Sequence, residues 1–409
     1  MLKTKNLLAV AIISLCLNPA NAALAKTSSE SLSATNIYYQ AQVPQNKEAI
    51  ASFEKGENFY LQGKLAEAEA AFRQAISLEP NYAQAYVGLG NVLDDQGKPQ
   101  EAITSYKKAI SLDAQDPVAY LNLGLTYARI DNYPAAIANY QQAIKLDSKY
   151  TKAYYLLGNV YYYQDKFPEA ITNYQQTIRL EPKNPVGYVG LGNVFYAQNK
   201  IDEAIDQYRQ AISINPQDAE PHYYLASALS SQDKTAEAIA EYQETIRLQS
   251  NYPPAYFGLA NLLYDTGKAE EAIANYKKAI SLNPNYADAH YNLGNAYYGQ
   301  DKLTEAIKEY QIVIKLQPKN PKAYTGLANA IDDQGKPQEA IALYQKAISL
   351  DAEYGYAYYN LAITLTKVNR PQEAIANLNK AKRLFQAQGN QQMLGKIERV
   401  LKQINNRTN

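Results

Sequence analysis

The sequence predicts an all-α solenoid of ten helix-turn-helix units, and a repeat of 34 residues is the main observation that predicts it. An alanine returns at this spacing ten times without interruption. Leucine lies thirteen residues before this alanine in nine units, and an aromatic residue lies four residues after it in nine units. A fixed period of this length is typical of stacked repeats, in which each unit contacts only its neighbours. The alanines are Ala68, Ala102, Ala136, Ala170, Ala204, Ala238, Ala272, Ala306, Ala340 and Ala374.

Each unit contains two amphipathic helices, here called helix A and helix B. In the second unit, apolar residues with helical spacing run from Tyr86 to Leu93 in helix A and from Ala102 to Ile110 in helix B. Gly97 gives the intervening turn a permissive backbone. Because one helix pair cannot bury its whole apolar face, we expect stacking on both sides to complete the core.

These residues resemble the tetratricopeptide repeat (TPR) family, whose pattern combines a leucine and a small residue with a later alanine and aromatic residue. The resemblance covers residues 49–388. It implies a right-handed superhelical α-solenoid in which positions 2, 5, 9, 12 and 13 of helix A line a concave groove for protein or peptide. Counted from position 1, the ten units start at residues 49, 83, 117, 151, 185, 219, 253, 287, 321 and 355.

The first 25 residues, 1–25, are predicted to be a secretory signal peptide. Two lysines precede the apolar run Leu7–Leu17, and small residues at 20–25 offer cleavage sites. This run is too short to span a bilayer as a helix. We therefore expect export to the periplasm or an equivalent lumen, with the extracellular space as the alternative. Lipid attachment at Cys16 is disfavoured, because bacterial lipoprotein signals have a small residue before the cysteine and Leu15 stands there.

Non-repetitive segments flank the ten units. Residues 26–48 are polar and rich in Ser and Thr, so they predict a flexible leader. Residues 389–409 leave the repeat register but keep a helical apolar stripe from Met393 to Ile404. Because a solenoid needs a terminal unit with a polar outer face, this segment is predicted to be a C-terminal capping helix. A partner-binding helix is the alternative.

Composition and motifs argue against several classes of function. Forty basic residues balance forty acidic ones, so net charge does not indicate nucleic-acid binding. His222 and His290 both occupy position 4, which is Tyr in seven units, so we expect packing residues and no metal site. The chain has no phosphate-binding loop and no hydrolase motif. The sequence therefore predicts a non-catalytic protein with no cofactor and no integral membrane span.

The candidate peptide-binding residues are asparagines at position 9 and tyrosines at positions 5 and 12 of helix A. An amide has one acceptor and two donors, enough to pair with a peptide backbone without reading its side chains. The set resembles the asparagine ladder in the TPR superhelix of O-GlcNAc transferase, which holds extended peptides in this way. We expect the amides to contact no core side chain and the tyrosines to be exposed; family inheritance without selection for a ligand is the alternative. The residues are Asn91, Asn159, Asn193, Asn261, Asn295, Asn329, Tyr155, Tyr162, Tyr196, Tyr223, Tyr264, Tyr291, Tyr298 and Tyr359.

Two acidic pairs occupy positions 12 and 13, Asp94-Asp95 and Asp332-Asp333. Carboxylates at the C-terminal end of a helix oppose its dipole, so we expect no local stabilisation from them. They either bias the groove toward basic ligands or form a solvated helix end. The segment DDQGKPQEAI occurs at 94–103 and again at 332–341, so internal duplication alone explains the likeness.

Protein or peptide binding is the predicted function, in the role of a scaffold or assembly factor. One alternative is a structural component of a cell-envelope complex that uses the convex face or the solenoid ends. Another is an accessory subunit of a separate enzyme, such as a glycosyltransferase or secretion machine. Mutation of the groove would damage the first role and spare the second, whereas a co-purifying enzyme activity would favour the third.

Overall fold

A computed structural model describes residues 46–408, which form 21 α-helices and no strand. The predicted signal peptide, Cys16 and the leader up to residue 45 lie outside the described residues. Within residues 46–408, no helix is both long enough and apolar enough to cross a membrane. These residues divide into two compact units after Pro216, called here the first unit and the second unit.

The first unit contains five helix pairs, and in each pair helix A packs against the helix B that follows it. Each helix B also packs against the next helix A within the unit. The helices are α1 (Lys47–Leu61), α2 (Leu65–Leu78), α3 (Ala83–Asp95), α4 (Pro99–Leu112), α5 (Pro117–Arg129), α6 (Tyr133–Leu146), α7 (Thr151–Tyr163), α8 (Phe167–Leu180), α9 (Val186–Ala197) and α10 (Ile201–Ile214).

The second unit repeats this arrangement five times and adds a last helix. Consecutive packing of helix pairs in both units confirms the predicted all-α solenoid. The helices are α11 (Ala219–Ser231), α12 (Thr235–Leu248), α13 (Pro253–Asp265), α14 (Ala269–Leu282), α15 (Ala287–Gly299), α16 (Leu303–Leu316), α17 (Pro321–Asp333), α18 (Pro337–Leu350), α19 (Gly355–Lys367), α20 (Pro371–Ala387) and α21 (Gln391–Thr408).

The turn from helix A to helix B has the same backbone in all ten pairs. Position 15 has a positive φ, between 57° and 80°, in every one. Glycine enters this left-handed region without steric cost, and Asp and Asn are the side chains that tolerate it best. The residues are Gly63, Gly97, Asp131, Asp165, Asn199, Asp233, Gly267, Asp301, Gly335 and Asn369.

The repeated alanine lies where helix A crosses helix B. All ten of these alanines have 0% exposure. Opposite them, position 8 of helix A is Gly or Ala, and in nine repeats an aromatic ring at position 24 packs against that surface. A Cβ on Gly90 would lie 2.5 Å from Cε1 of Tyr106, which is itself buried. The small residues therefore let the two helices approach closely enough to enclose the ring.

The N-terminal helix starts within the segment predicted to be the leader. The Asn46 side chain accepts hydrogen bonds from the backbone N–H groups of Glu48 and Ala49, so it caps α1. Its Nδ2 also donates to the Leu78 carbonyl of α2 over 3.2 Å. Residues 46–48 thus belong to the first helix pair.

The C-terminal helix α21 covers the end of the second unit. Met393, Ile397 and Ile404 are buried in one cluster with Phe385 of α20. Most of the remaining side chains of α21 are exposed. This division between a buried stripe and a polar outer face is the one predicted for a capping helix.

Candidate functional site

Each of the six asparagines at position 9 accepts a hydrogen bond from the tyrosine at position 24 of the same repeat. The distances from Tyr Oη to Asn Oδ1 lie between 2.7 and 2.8 Å. The tyrosines belong to helix B and are almost fully buried, so each bond ties helix B to helix A. The pairs are Tyr106–Asn91, Tyr174–Asn159, Tyr208–Asn193, Tyr276–Asn261, Tyr310–Asn295 and Tyr344–Asn329.

The prediction that these amides contact no core side chain is therefore wrong. Asn159 and Asn193 are only 6% exposed, and the other four are half-buried. A buried tyrosine hydroxyl needs an acceptor, and position 9 lies within reach of it across the helix pair. The amide oxygen is thus held in the fold, whereas the amide nitrogen takes no part in this bond and only donates.

A second asparagine joins three of these amides across neighbouring repeats. Asn122, at position 6 of the next helix A, donates from Nδ2 to Oδ1 of Asn91 over 2.9 Å. The same bond recurs from Asn292 to Asn261 and from Asn360 to Asn329. Position 9 therefore links helix A to its own helix B and, in these three cases, to the next helix A.

The position 5 tyrosines Tyr155, Tyr223, Tyr291 and Tyr359 are half-buried, so the prediction that they are exposed is wrong. The rings of Tyr155, Tyr223 and Tyr291 pack on the position 24 ring of the same repeat, as in Tyr223–Tyr242 at 5.9 Å between centroids. Tyr223 also meets Tyr252, at position 34, edge to face at 5.2 Å. Each of these three rings partly covers the buried tyrosine of its own repeat.

The position 12 tyrosines Tyr162, Tyr196, Tyr264 and Tyr298 are half-buried as well, as is Tyr60, so their predicted exposure is also wrong. Tyr60 donates to Asp95 of the next helix A over 2.7 Å, and Tyr298 donates to Asp333 over 2.5 Å. Burial raises the pKa of Tyr162 to about 12, so this hydroxyl stays protonated and remains a donor at neutral pH.

Each acidic pair has a basic partner on the next helix A, which corrects the expectation that the pairs gain nothing in the fold. Asp94 is buried and forms an ion pair with Arg129, at position 13 of the next helix A. In the second copy, Lys367 Nζ lies 2.8 Å from Asp332 Oδ2, which also accepts from the Thr364 hydroxyl. The basic residue belongs to the next repeat. The position of the acidic pair at its own helix end therefore did not predict the ion pair.

The two copies of the acidic pair are satisfied to different extents. Burial raises the pKa of Asp94, and although Arg129 opposes this effect the pKa remains above its usual range. In the other copy, Oδ1 of Asp332 is buried without a hydrogen-bond partner among the described residues. Arg129 contacts both carboxylates of its pair through Nη1, and Lys367 contacts its pair through Nζ; a guanidinium has further donors that an ammonium lacks.

The two histidines are packing residues, as predicted, but each also has a carboxylate partner that the sequence analysis missed. His222 Nδ1 lies 2.6 Å from Glu241, and His290 Nδ1 lies 2.6 Å from Glu309. The other ring nitrogen of His290 lies 3.1 Å from the Pro284 carbonyl. Because carbonyls and carboxylates only accept, the protonated ring of His290, in which both nitrogens donate, satisfies both contacts.

One carboxyl group at position 2 titrates near neutrality. Burial, assisted by the charge of Asp218, raises the pKa of Glu220 to about 7, although a hydrogen bond from Tyr224 opposes the rise. Glu220 is therefore partly protonated at neutral pH, unlike an exposed glutamate. In the part of the chain that the structure describes, no group of three or more His, Cys, Asp or Glu side chains is arranged to hold a metal.

Family comparisons identify the repeats. Residues 16–252, more than half of the chain, match the family described as the C-terminal domain of cilia and flagella-associated protein 70. Tetratricopeptide repeat families match residues 260–301, 287–320 and 320–387. The chain belongs to the tetratricopeptide repeat family. TPR folds commonly mediate protein–protein interactions and typically serve as non-catalytic scaffolds.

One solved structure supports the TPR fold, and two others are similar to the chain in part. A tetratricopeptide repeat protein from Parabacteroides merdae ATCC 43184 is 21% identical, with a TM-score of 0.52 over 61% of this chain and 99% of that one. MamA is 30% identical over 42% of this chain and 95% of its own, with a TM-score of 0.38. The APC/C hetero-tetramer Cut9–Hcn1 is 12% identical over 88% of this chain and 96% of its own, with a TM-score of 0.47. No match was found among curated proteins.

Within each unit, the side chains at positions 2, 5, 9, 12 and 13 of helix A are called here the A-helix surface. The missing element of the prediction was helix B, whose position 24 tyrosine orients the position 9 amide. The signal was present in the sequence, because every unit with Asn at position 9 has Tyr fifteen residues later. In the sixth repeat, where position 9 is Ser227, the equivalent contact joins Ser227 to Tyr242, with 3.1 Å between their hydroxyl oxygens.

Proposed function

We propose that this TPR protein is an exported scaffold or assembly factor that holds an extended partner segment along the A-helix surface. The observation that supports this most is the fixed orientation of the six position 9 amides. Each amide oxygen is tied to a buried tyrosine hydroxyl, so the amide plane is set before any ligand arrives. Preorganised groups lose less conformational entropy on binding, which favours affinity.

The same geometry defines what these amides offer a ligand. With the oxygen engaged, the nitrogen contributes donors, which suit the carbonyl oxygens of a peptide backbone. Half-buried tyrosine rings at positions 5 and 12 flank the amides and supply apolar contact area. The proposed recognition therefore depends on the partner's backbone more than on its side chains.

The chain itself offers a variant that tests this proposal without disturbing the fold. Ser227 naturally occupies position 9 and keeps the contact with its tyrosine. Replacing Asn159, Asn193, Asn261 and Asn295 with Ser should therefore retain the melting temperature while removing the amide donors. Replacing the same four with Ala should also destabilise the fold, because the buried tyrosine hydroxyls lose their acceptors.

The measurement begins with cross-linking of the mature protein in its own envelope and identification of the captured chain by mass spectrometry. Calorimetry then compares the wild type with the two fourfold variants. If each amide contributes about 0.5–1.5 kcal/mol, the Ser variant should bind at least about thirtyfold more weakly. Unchanged affinity in the Ser variant would mean that the asparagines serve only the fold.

Export rests on the N-terminal sequence and has its own test. We expect the extracted protein to start near Ala23 or Lys26, where the small-residue cleavage sites lie. N-terminal sequencing and intact-mass measurement check this directly. An intact Met1, or a lipid on Cys16, would contradict it.

A further inference from the structure

A cavity of about 80 Å³ opens between the third and fourth repeats, within the first unit. It lies beside Asn159, one of the candidate peptide-binding residues. Most of its surface is apolar, and two charged side chains stand among the lining residues. The lining is made of Leu125, Ala128, Arg129, Asp131, Tyr133, Tyr140, Leu156, Asn159, Val160 and Tyr163.

The cavity results from two substitutions in the repeat pattern. Position 12 is Tyr in five repeats, but in the third repeat it is Ala128, which leaves the space of the ring empty. Position 9 is Asn in six repeats, but here it is Leu125, which adds an apolar wall. At position 12 the third repeat therefore has a smaller side chain than the second repeat, which has Asp94, and the fourth, which has Tyr162.

Two tyrosine rings form another wall of the cavity. Tyr133 of α6 and Tyr163 of α7 lie with centroids 6.5 Å apart and planes inclined by 18°. Aromatic faces attract cations as well as aliphatic groups. This wall suits a side chain with an aliphatic stem and a positive end.

The charges around the cavity favour a cation. Arg129 is already engaged, because its guanidinium forms ion pairs with Asp94 and Asp95. Asp131 accepts a hydrogen bond from the Tyr133 hydroxyl over 2.9 Å but forms no ion pair with any base among the described residues. The three carboxylates and one guanidinium leave this region with a net negative charge.

We propose that this cavity binds a lysine or arginine side chain of the partner segment. The aliphatic stem lies against Leu125, Ala128 and Val160, and the cationic head reaches the Asp131 carboxylate beside the tyrosine wall. Long basic side chains combine these two needs, since their stems pack on apolar surface while their heads stay polar. The inference rests on the proposed function, to which it adds a preference for one kind of side chain.

Two variants test the charge of Asp131 and the volume of the cavity separately. Asp131→Asn removes the carboxylate but keeps the left-handed turn, because Asn199 and Asn369 occupy the equivalent position with similar φ. Asp301→Asn makes the same change in a turn of the second unit and is the matched control. Ala128→Tyr fills the cavity with the residue that five other repeats carry at this position.

The probes are fluorescein-labelled alanine–serine peptides with one variable central residue, which is Lys, Arg, norleucine or Glu. Fluorescence anisotropy measures their binding to the full mature chain. We expect the Lys and Arg peptides to bind about five- to tenfold more tightly than the norleucine peptide, which has a similar stem and no charge. Asp131→Asn and Ala128→Tyr should each reduce this ratio toward one, whereas Asp301→Asn should leave it unchanged.

The outcomes distinguish the inference from the proposed function. Equal binding of the Lys and norleucine peptides, or a preference that persists in Asp131→Asn, would overturn the basic pocket while leaving backbone recognition intact. A preference for norleucine would mean that the cavity takes an apolar side chain. Failure of every peptide to bind would contradict both the pocket and the proposed function.

Discussion

The first and second units build the same repeat with different residues at position 8 of helix A. All five repeats of the first unit have glycine there, whereas four of the five in the second unit have alanine. Both residues face the position 24 side chain, which is aromatic in nine repeats and Leu378 in the tenth, and which is buried in all ten. The alanines are Ala226, Ala260, Ala328 and Ala362, and the glycines are Gly56, Gly90, Gly124, Gly158, Gly192 and Gly294.

The two units also differ in their charged contacts. Both histidine–glutamate pairs lie in the second unit. The acidic pair of the first unit has Arg129 as its ion-pair partner, and that of the second has Lys367. The comparison shows that both units keep the contact at position 8 and the ion pair of the acidic residues. Each unit makes these contacts with different side chains. Exchanging those side chains between units tests this statement.

The largest expected effect is a dependence on pH that belongs to the second unit. Burial lowers the pKa of His290, but its hydrogen bonds to Glu309 and the Pro284 carbonyl outweigh this and leave the pKa raised. A raised histidine pKa stabilises the fold fully below the unfolded value near 6.5 and loses this contribution as pH rises through the folded value. His290→Tyr, which restores the common residue, should remove this dependence.

Urea unfolding of wild type and His290→Tyr between acid and mildly alkaline pH measures the difference. We expect the hydrogen-bonded histidine to contribute about 1.5–3 kcal/mol to the unfolding free energy at acid pH, the usual size for a hydrogen bond to a charged group. Glu309→Gln should reduce the dependence in the same direction. Identical pH profiles for the wild type and His290→Tyr would show that the pair does not stabilise the second unit.

The next effect concerns position 8. A Cβ on Gly158 would lie 2.8 Å from Cε1 of Tyr174, so Gly158→Ala forces a buried ring to move. We expect a loss of about 1–3 kcal/mol in unfolding free energy, although alanine favours the helix. Ala260→Gly in the second unit should cost about 1 kcal/mol through helix propensity. Urea unfolding followed by circular dichroism compares them; a stabilised Gly158→Ala variant would mean that the two units are interchangeable here.

Replacing Arg129 should lower the unfolding free energy of the first unit more than replacing Lys367 lowers that of the second. Arg129→Met keeps the aliphatic stem but leaves the buried Asp94 carboxylate without its cation, which should cost about 1–2 kcal/mol. The Lys367 side chain is 50% exposed, so solvent screens its pair with Asp332 and Lys367→Met should cost about 1 kcal/mol or less. Equal losses measured by urea unfolding would indicate that both pairs are equally screened.

The smallest effect is expected when the basic residues Arg129 and Lys367 are each replaced by the other type. Lys367→Arg supplies further donors beside the buried Oδ1 of Asp332, and it should stabilise the second unit by about 0.5–1 kcal/mol. Arg129→Lys should have the opposite sign in the first unit. Thermal unfolding of both single variants tests this, and two changes of the same sign would contradict the expectation that the number of donors matters here.

The repeat period by itself determined much of this protein. The ten crossing alanines, their neighbouring small residues and the amphipathic stripes predicted the helix pairs, and each alanine is buried in the structure. The apolar stripe of residues 389–409 likewise predicted a capping helix. Such features are local and periodic, so they are visible in a single sequence.

Contacts between helices were decided only by the tertiary structure. Tyr174 reaches Asn159 across fifteen residues, and Arg129 reaches Asp94 across thirty-five, because the stacking of helices brings these positions together. The cavity exists because Ala128 and Leu125 coincide at one place beside the next repeat. A pattern of residue types indicates which face a side chain shares, but hydrogen bonds and cavities depend on ångström distances between helices that packing alone sets.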